Sequence, residues 1–382
     1  MLRSTIFWIH LVCGVTTGLV VLMMSVTGVL LTYERQILAW AERPESTAPP
    51  PGAARLPLEE LAAAAKLHRP EFTATTILLR NEPNAPIVLG AGRSGSLLVD
   101  PYSGAVSEPG AQGLRRFFAA TTGWHRWFNA SGENRALPRA ITGASNLAFL
   151  FLILSGMYLW LPRVFKWALF KTRLFFNAEA PSGKARDFNW HHVFGFWSAV
   201  PLVVVVATAT VFSYPWANDL VYRAVGEEPP RSGGGRAPPG ARPAPVAESP
   251  SGSAATPLGY DALLARAAAH GEWRTLTLNL PTDPAAPTVR IGIDKGNGGQ
   301  PQLRHTLTLD SVTGDVVTYA PFASQTRGQK TRSWIRFLHT GEALGIVGQT
   351  IAGLVSLTSV LMVWTGLALA WRRLVVPLFR GL

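Results

Sequence analysis

Four histidines stand where ionisable side chains are rarely tolerated. His10 and His191 each lie in the opening turns of a long apolar run, and His125 and His339 each stand a short way before one. The first pair shares a local pattern. Trp8-Ile9-His10 is followed by Gly14, and Trp190-His191 by Gly195, so both read His, three residues, Gly. Ionisable groups at a bilayer are costly and tend to be functional. Neutral imidazole is also a strong ligand for haem iron, and noncovalent binding needs no cysteine. Two histidines at one depth on two helices, repeated at both membrane faces, would suit bis-imidazole ligation of two b-type haems. Whether the four are so placed depends on the elements that carry them.

Four runs are long enough to cross a bilayer: 4–33, 140–161, 188–218 and 343–371. None contains Asp, Glu, Lys or Arg, the only ionisable side chains of that kind being histidines in the first and third, and each reaches the roughly 20 residues a membrane helix requires. A composition of 48% hydrophobic and 15% charged residues agrees with the membrane class. Spans one and three run in one direction and two and four in the other. His10 and His191 therefore share a depth near one face, and His125 and His339 share a depth at the opposite face. Gly14 and Gly195, one turn beyond their histidines, leave room for a flat macrocycle or for close helix approach. The plainer reading is that the glycines only pack helices and that the interfacial His and Trp anchor the bundle. Zinc or copper is a further alternative, but no acidic or thiol ligand clearly accompanies each pair. His192 points about 100° round the helix from its neighbour, and the register shared with His10 favours His191 as ligand. Arg126, Arg336 and Arg186 are candidates to pair with haem propionates. Trp124, Trp127 and Trp334 are expected near the outer haem. His68, His270 and His305 read as solvated or structural.

The formal charge of +12 is placed as a topology signal rather than a nucleic-acid surface. The segment between spans two and three carries Arg163, Lys166, Lys171, Arg173, Lys184 and Arg186, while Arg3 precedes span one and Arg372, Arg373 and Arg380 follow span four. All these flanks fall on one side of a four-span chain, so the positive-inside rule puts both termini in the cytoplasm, against a lipid surface and with no nucleic acid. Span one is too long for a signal-peptide core and reads as a retained anchor. The single cysteine, Cys13, rules out an intramolecular disulfide and any Cys-x-x-Cys-His haem attachment. No Gly-x-Gly-x-x-Gly occurs in a soluble βαβ context and the basic loop is too short for a flavin domain, so no flavin is expected in the chain. The electron donor is a separate, unidentified cytoplasmic species or a quinol.

The chain is organised as a tandem repeat. Span one occupies 1–35, a first extracytoplasmic domain 36–135, span two 136–162, the basic loop 163–187 and span three 188–218. A second extracytoplasmic domain follows at 219–335, carrying a Pro/Gly/Ser/Ala-rich linker expected to be disordered at 227–257. An interfacial segment with span four fills 336–371, and the tail 372–382. Each soluble segment begins with a short helix (58–67 and 260–270). Strand-like runs follow at 75–80, 87–89 and 96–100, and at 275–280, 288–294 and 304–310. Asp100-Pro101-Tyr102-Ser103-Gly104 matches Asp310-Ser311-Val312-Thr313-Gly314, and Gly132-Glu133 after His125 mirrors Gly341-Glu342 after His339.

At Trp190-His191-His192-Val193-Phe194-Gly195, at Leu338-His339-Thr340-Gly341-Glu342 and at the two Asp-x-x-x-Gly turns, the chain resembles the PepSY-associated transmembrane family. These are iron-regulated inner-membrane proteins of Gram-negative bacteria, and the likeness is greatest to ferric-siderophore reductases of the FoxB kind. The resemblance covers nearly the whole chain outside 227–257. It implies a membrane α fold: a four-helix transmembrane bundle with two small α+β, PepSY-like periplasmic domains. It also implies two bis-histidine haem b groups at His10/His191 and His125/His339, and electron passage across the inner membrane to a periplasmic Fe(III)–siderophore. His192 departs from relatives, which often have arginine there. The rival readings are a b-type cytochrome with another acceptor, and a non-enzymatic PepSY scaffold or regulator. A permease is disfavoured because no span carries a charged midplane residue.

Overall fold

The computed structural model describes residues 1–42, 52–92, 95–230, 256–283 and 286–379. Most of the linker expected at 227–257 lies outside them, as does Arg380. In chain order the first half runs α1 (Leu2–Leu31), α2 (Glu34–Ala41), α3 (Leu58–His68), β1 (Thr76–Arg80), β2 (Ile87–Gly90), β3 (Ser96–Val99), β4 (Val106–Ser107), α4 (Gln112–Trp127) and α5 (Ala136–Trp160). The middle holds α6 (Trp167–Leu174), α7 (Gly183–Ser213) and α8 (Pro215–Ala224). The second half continues α9 (Tyr260–Ala268), β5 (Thr275–Asn279), β6 (Thr288–Asp294), β7 (Arg304–Asp310), β8 (Val316–Ala320), α10 (Arg327–His339), α11 (Gly345–Leu374) and α12 (Val376–Phe379). These elements gather into two compact units.

The first unit comprises the described residues within 1–35, 113–231 and 334–382. It is a bundle of α1, α5, α7 and α11, each long and apolar enough to cross a membrane. Each packs on two neighbours in the ring α1–α5–α7–α11, so α1 faces α7 across a diagonal and α5 faces α11. The third helix begins five residues before the apolar run, because Ser182 caps it by accepting the Ala185 N–H at 3.2 Å. It stops at Ser213 although the run continues to Asn218. Pro215 opens α8, and a residue before proline is pushed out of the helical region; Tyr214 is accordingly extended at φ −127°, ψ 126°. Pro201 is accommodated inside α7, which is helical throughout.

The second unit comprises the described residues within 36–112 and 232–333. Two separate soluble domains were expected, and the structure corrects this. All eight strands form one antiparallel sheet in the order β4-β3-β2-β1-β5-β6-β7-β8, closed at its centre by β1 against β5 with Ile77 opposite Leu278. A four-stranded half with one helix leaves a strand edge open and covers little apolar surface. Joining β1 to β5 removes both inner edges and merges the halves around one core. In that core Leu61 and Ala65 of α3 and Leu263 and Ala267 of α9 share a cluster with Leu89, Leu97, Ile291 and Leu307, all almost fully buried. The helices are also cross-capped. Asp261 accepts the Leu58 N–H at 2.8 Å and Glu59 accepts the Tyr260 N–H at 2.5 Å, satisfying donors that the first turn of a helix otherwise leaves orphaned. Strands β4 and β8, absent from the sequence reading, form the outer edges.

Candidate functional site

The four histidines all belong to the bundle unit, and each is turned onto a neighbouring helix through the same ring nitrogen. His10 on α1 places Nδ1 2.8 Å from Ser155 Oγ on α5. His191 on α7 places Nδ1 3.1 Å from both the Met362 carbonyl and Thr365 Oγ1 on α11. At the other end of the bundle, His125 at the close of α4 directs Nδ1 to Thr27 Oγ1 of α1 at 2.9 Å. His339, the last residue of α10, directs Nδ1 to the Val205 carbonyl of α7 at 2.9 Å and to Thr208 Oγ1 at 3.3 Å.

These contacts assign the tautomer. A carbonyl only accepts, so Nδ1 of His191 and of His339 carries the proton. The hydroxyls facing the other two rings already donate within their own helices, Ser155 to Phe151 O at 2.6 Å and Thr27 to Met23 O at 2.7 Å. Their oxygens therefore accept from His10 and His125. In all four rings the neutral imidazole keeps its lone pair on Nε2. A metal-binding histidine normally has this arrangement, with the second nitrogen fixed by a hydrogen bond from the far side.

The pairs form as well. The rings of His125 and His339 lie with centroids 6.4 Å apart and planes at 57°. His10 and His191 come from diagonal helices and lie within electrostatic range of one another. Among the described residues no group of three or more His, Cys, Asp or Glu gathers as a metal site. The arrangement therefore offers two imidazoles at each end of the bundle. Such a pair suits a metal whose remaining positions are filled by something other than the chain.

The neighbours expected to assist are placed as follows. His192 turns back on its own helix, with Nδ1 2.8 Å from the Phe188 carbonyl and its ring centroid 4.1 Å from that of Phe188 at an interplanar tilt of 37°. Arg126 lies over the Trp127 ring at 4.6 Å and within electrostatic range of both His125 and His339. Arg336 lies over Phe337 at 5.6 Å. Trp124 is exposed and meets Phe128 edge-on at 6.4 Å. Arg186 is held by Asp187 of its own helix at 3.0 Å, and it is Asp187, bonded in turn to Arg372, that joins α7 to α11.

Sequence reasoning missed the hydroxyls that hold the rings. The signal was present: Thr27 follows His10 by the same seventeen residues that separate Thr208 from His191. At 1.5 Å per residue that spacing carries each helix about 25 Å, from one histidine level to the other.

Four membrane-length helices packed as one bundle define a multi-pass membrane protein. The family model for the PepSY-associated transmembrane region matches residues 7–373, and the chain belongs to that family. No curated protein matches it.

Proposed function

We propose that the protein is a b-type dihaem oxidoreductase of the bacterial inner membrane that reduces a periplasmic ferric siderophore. His10 and His191 would hold one haem, and His125 and His339 the other. The observation that carries this reading is the shared Nδ1 anchoring of all four rings, which leaves Nε2 as the ligand nitrogen in each pair. Haem supplies one-electron carriage between its ferric and ferrous states. The chain's part is to fix both axial ligands from separate helices, to keep them neutral and to exclude water from the bundle core.

The basic flanks support cytoplasmic termini, which puts the His125/His339 level and the eight-stranded sheet on the periplasmic side. The matching order of elements in the two halves, with helix, four strands, interfacial helix and span in each, supports descent from a tandem repeat. Fe(III) prefers hard oxygen donors, so one-electron reduction to Fe(II) loosens the chelate without destroying the chelator. Family membership alone leaves room for another acceptor or for a non-enzymatic scaffold. The paired imidazoles favour the redox reading, because a scaffold has no need of four neutral histidines with one free nitrogen each.

The deciding experiment is a reduced-minus-oxidised visible spectrum of the detergent-purified protein with a pyridine haemochrome count. Two b-type haems per chain, with one lost in His10→Ala and the other in His339→Ala, are the expected result. A folded protein that takes up no haem overturns the reading. Fe(II) capture from ferric siderophores by proteoliposomes then tests the acceptor.

A further inference from the structure

We propose that each of the four histidine rings is set by a two-residue seat on the bundle helix it meets, a hydroxyl residue followed by a small one. The seats are Thr27-Gly28 on α1 for His125, Ser155-Gly156 on α5 for His10, Thr208-Ala209 on α7 for His339 and Thr365-Gly366 on α11 for His191. They rest on the dihaem reading for what the rings bind, but they are formed by the chain alone. Their members act through the imidazole, as positioning residues.

The hydroxyl fixes one ring atom, and the missing side chain makes room for the next. Nδ1 meets Ser155 Oγ at 2.8 Å in His10, Thr27 Oγ1 at 2.9 Å in His125 and Thr365 Oγ1 at 3.1 Å in His191. Cε1 is the carbon between Nδ1 and the free Nε2. A Cβ at Gly366 would stand 3.3 Å from Cε1 of His191, and one at Gly156 3.4 Å from Cε1 of His10, both tighter than an ordinary contact. At Gly28 it would stand 3.8 Å from Cε1 of His125 and 3.3 Å from Ser356 Oγ, so that glycine serves helix packing as well. Cγ is already held by the histidine's own helix. Two further fixed points define the plane of a rigid ring, and with it the direction of Nε2 and the angle at which paired planes cross.

The chain carries its own comparison. In the fourth seat the small residue is Ala209, and there the hydroxyl stands farthest from the ring: Nδ1 of His339 lies 3.3 Å from Thr208 Oγ1 and 2.9 Å from the Val205 carbonyl. In the seat on α11, where the small residue is glycine, His191 meets the Met362 carbonyl and the Thr365 hydroxyl equally at 3.1 Å. Each carbonyl precedes its hydroxyl by three residues, so the two seats share one plan and differ by a methyl group. Glycine weakens a helix interior relative to alanine. Its place at Gly156 and Gly366 answers to the ring edge that approaches there.

The test uses the full-length protein as purified, in nanodiscs, with isotope-labelled histidine nitrogens read by solid-state NMR. The sample is kept reduced so that any low-spin haem is diamagnetic, and His10→Gln, His191→Gln and His339→Gln assign the resonances. Gly366→Ala should shift the ring nitrogens of His191, and Gly156→Ala those of His10. Ala209→Gly should move Nδ1 of His339 towards a shorter bond with Thr208. In the oxidised protein the largest g value of the low-spin ferric signal depends on the angle between the axial imidazole planes. It should move for the haem of the altered level alone, with the haem count unchanged. Gly195→Ala meets only the flexible end of Met362 at 3.5 Å and should move neither reading. Circular dichroism and the thermal midpoint confirm folding, and Gly156→Ala decides the matter should Gly366→Ala fail to fold. Ring nitrogens and g values that ignore both glycine substitutions overturn the seats. So does an equal shift in Gly195→Ala, which would assign the effect to helix packing. Ring shifts in a protein that holds no haem would keep the seats and sink the dihaem reading, and two haems indifferent to the seats would do the reverse.

Discussion

The imidazole of His125 faces that of His339 at a centroid distance of 6.4 Å, although the two residues lie on separate helices 214 positions apart in sequence. Each ring is held from behind by a helix of the bundle, His125 by Thr27 of α1 and His339 by Val205 and Thr208 of α7. The pair is thus set by the packing of four helices and tests the packing as directly as the chemistry.

Thr27→Val removes the hydroxyl that accepts from His125 at 2.9 Å, a hydrogen bond of about 0.5–1.5 kcal/mol. The second shell of a metal-bound histidine typically contributes about 10–100-fold in affinity. Haem retention through gel filtration should fall by about half, with the loss confined to one of two spectroscopically distinct haems. Thr208→Val should do less, because the Val205 carbonyl still receives the His339 proton.

His191→Ala and His192→Ala should part sharply. The first removes a ring that crosses to α11, the second a ring that folds onto its own helix. Pyridine haemochrome assay should find about one haem per chain in His191→Ala and about two in His192→Ala, as bis-histidine ligation requires. The opposite result would transfer the ligand role to His192.

A Cβ at Gly366 would stand 3.3 Å from Cε1 of His191, a ring pinned between two helices. At Gly195 it would stand 3.5 Å from Cε of Met362, the free end of a flexible chain that can turn aside. Gly366→Val is therefore expected to displace His191 and release the haem at that level, while Gly195→Ala keeps both. Optical spectra of the two purified variants check this.

Asp310 accepts from the Val312 and Thr313 N–H groups, both at 2.9 Å, in the turn between β7 and β8. The Thr313 and Val312 N–H groups hold its carboxyl below the usual aspartate range. A depressed carboxylate contributes stability that is fully present above the ordinary aspartate pKa of about 3.9 and is lost as pH falls through the lower folded value. Thermal unfolding between pH 5 and 2 should therefore show a decline attributable to this turn, flattened in Asp310→Asn. An unchanged slope in the variant would remove Asp310 from that account.

Much of the bundle was legible in the sequence. Apolar length alone locates four spans, and the shared His-x-x-x-Gly register sets His191 in the same local pattern as His10. These features are local, governed by the thickness of a bilayer and the pitch of a helix, so they can be read along the chain. The turn at Asp310 and its twin at Asp100 were visible for the same reason. Each needs only a carboxylate and a glycine four residues later that adopts φ near +70°.

Only the tertiary structure decided the rest. Period-two alternation identifies a strand but not its partner, so the β1–β5 pairing that fuses two expected domains into one sheet could not be foreseen. Hydroxyls inside an apolar run look alike in sequence, since each can bond to its own helix. Thr27, Ser155, Thr208 and Thr365 acquire a role because helix packing brings an imidazole to each. The sequence by itself located four membrane-length helices and set four histidines near their ends. The tertiary structure determined which oxygen each ring meets, because that depends on helix rotation and neighbour order, which no local spacing encodes.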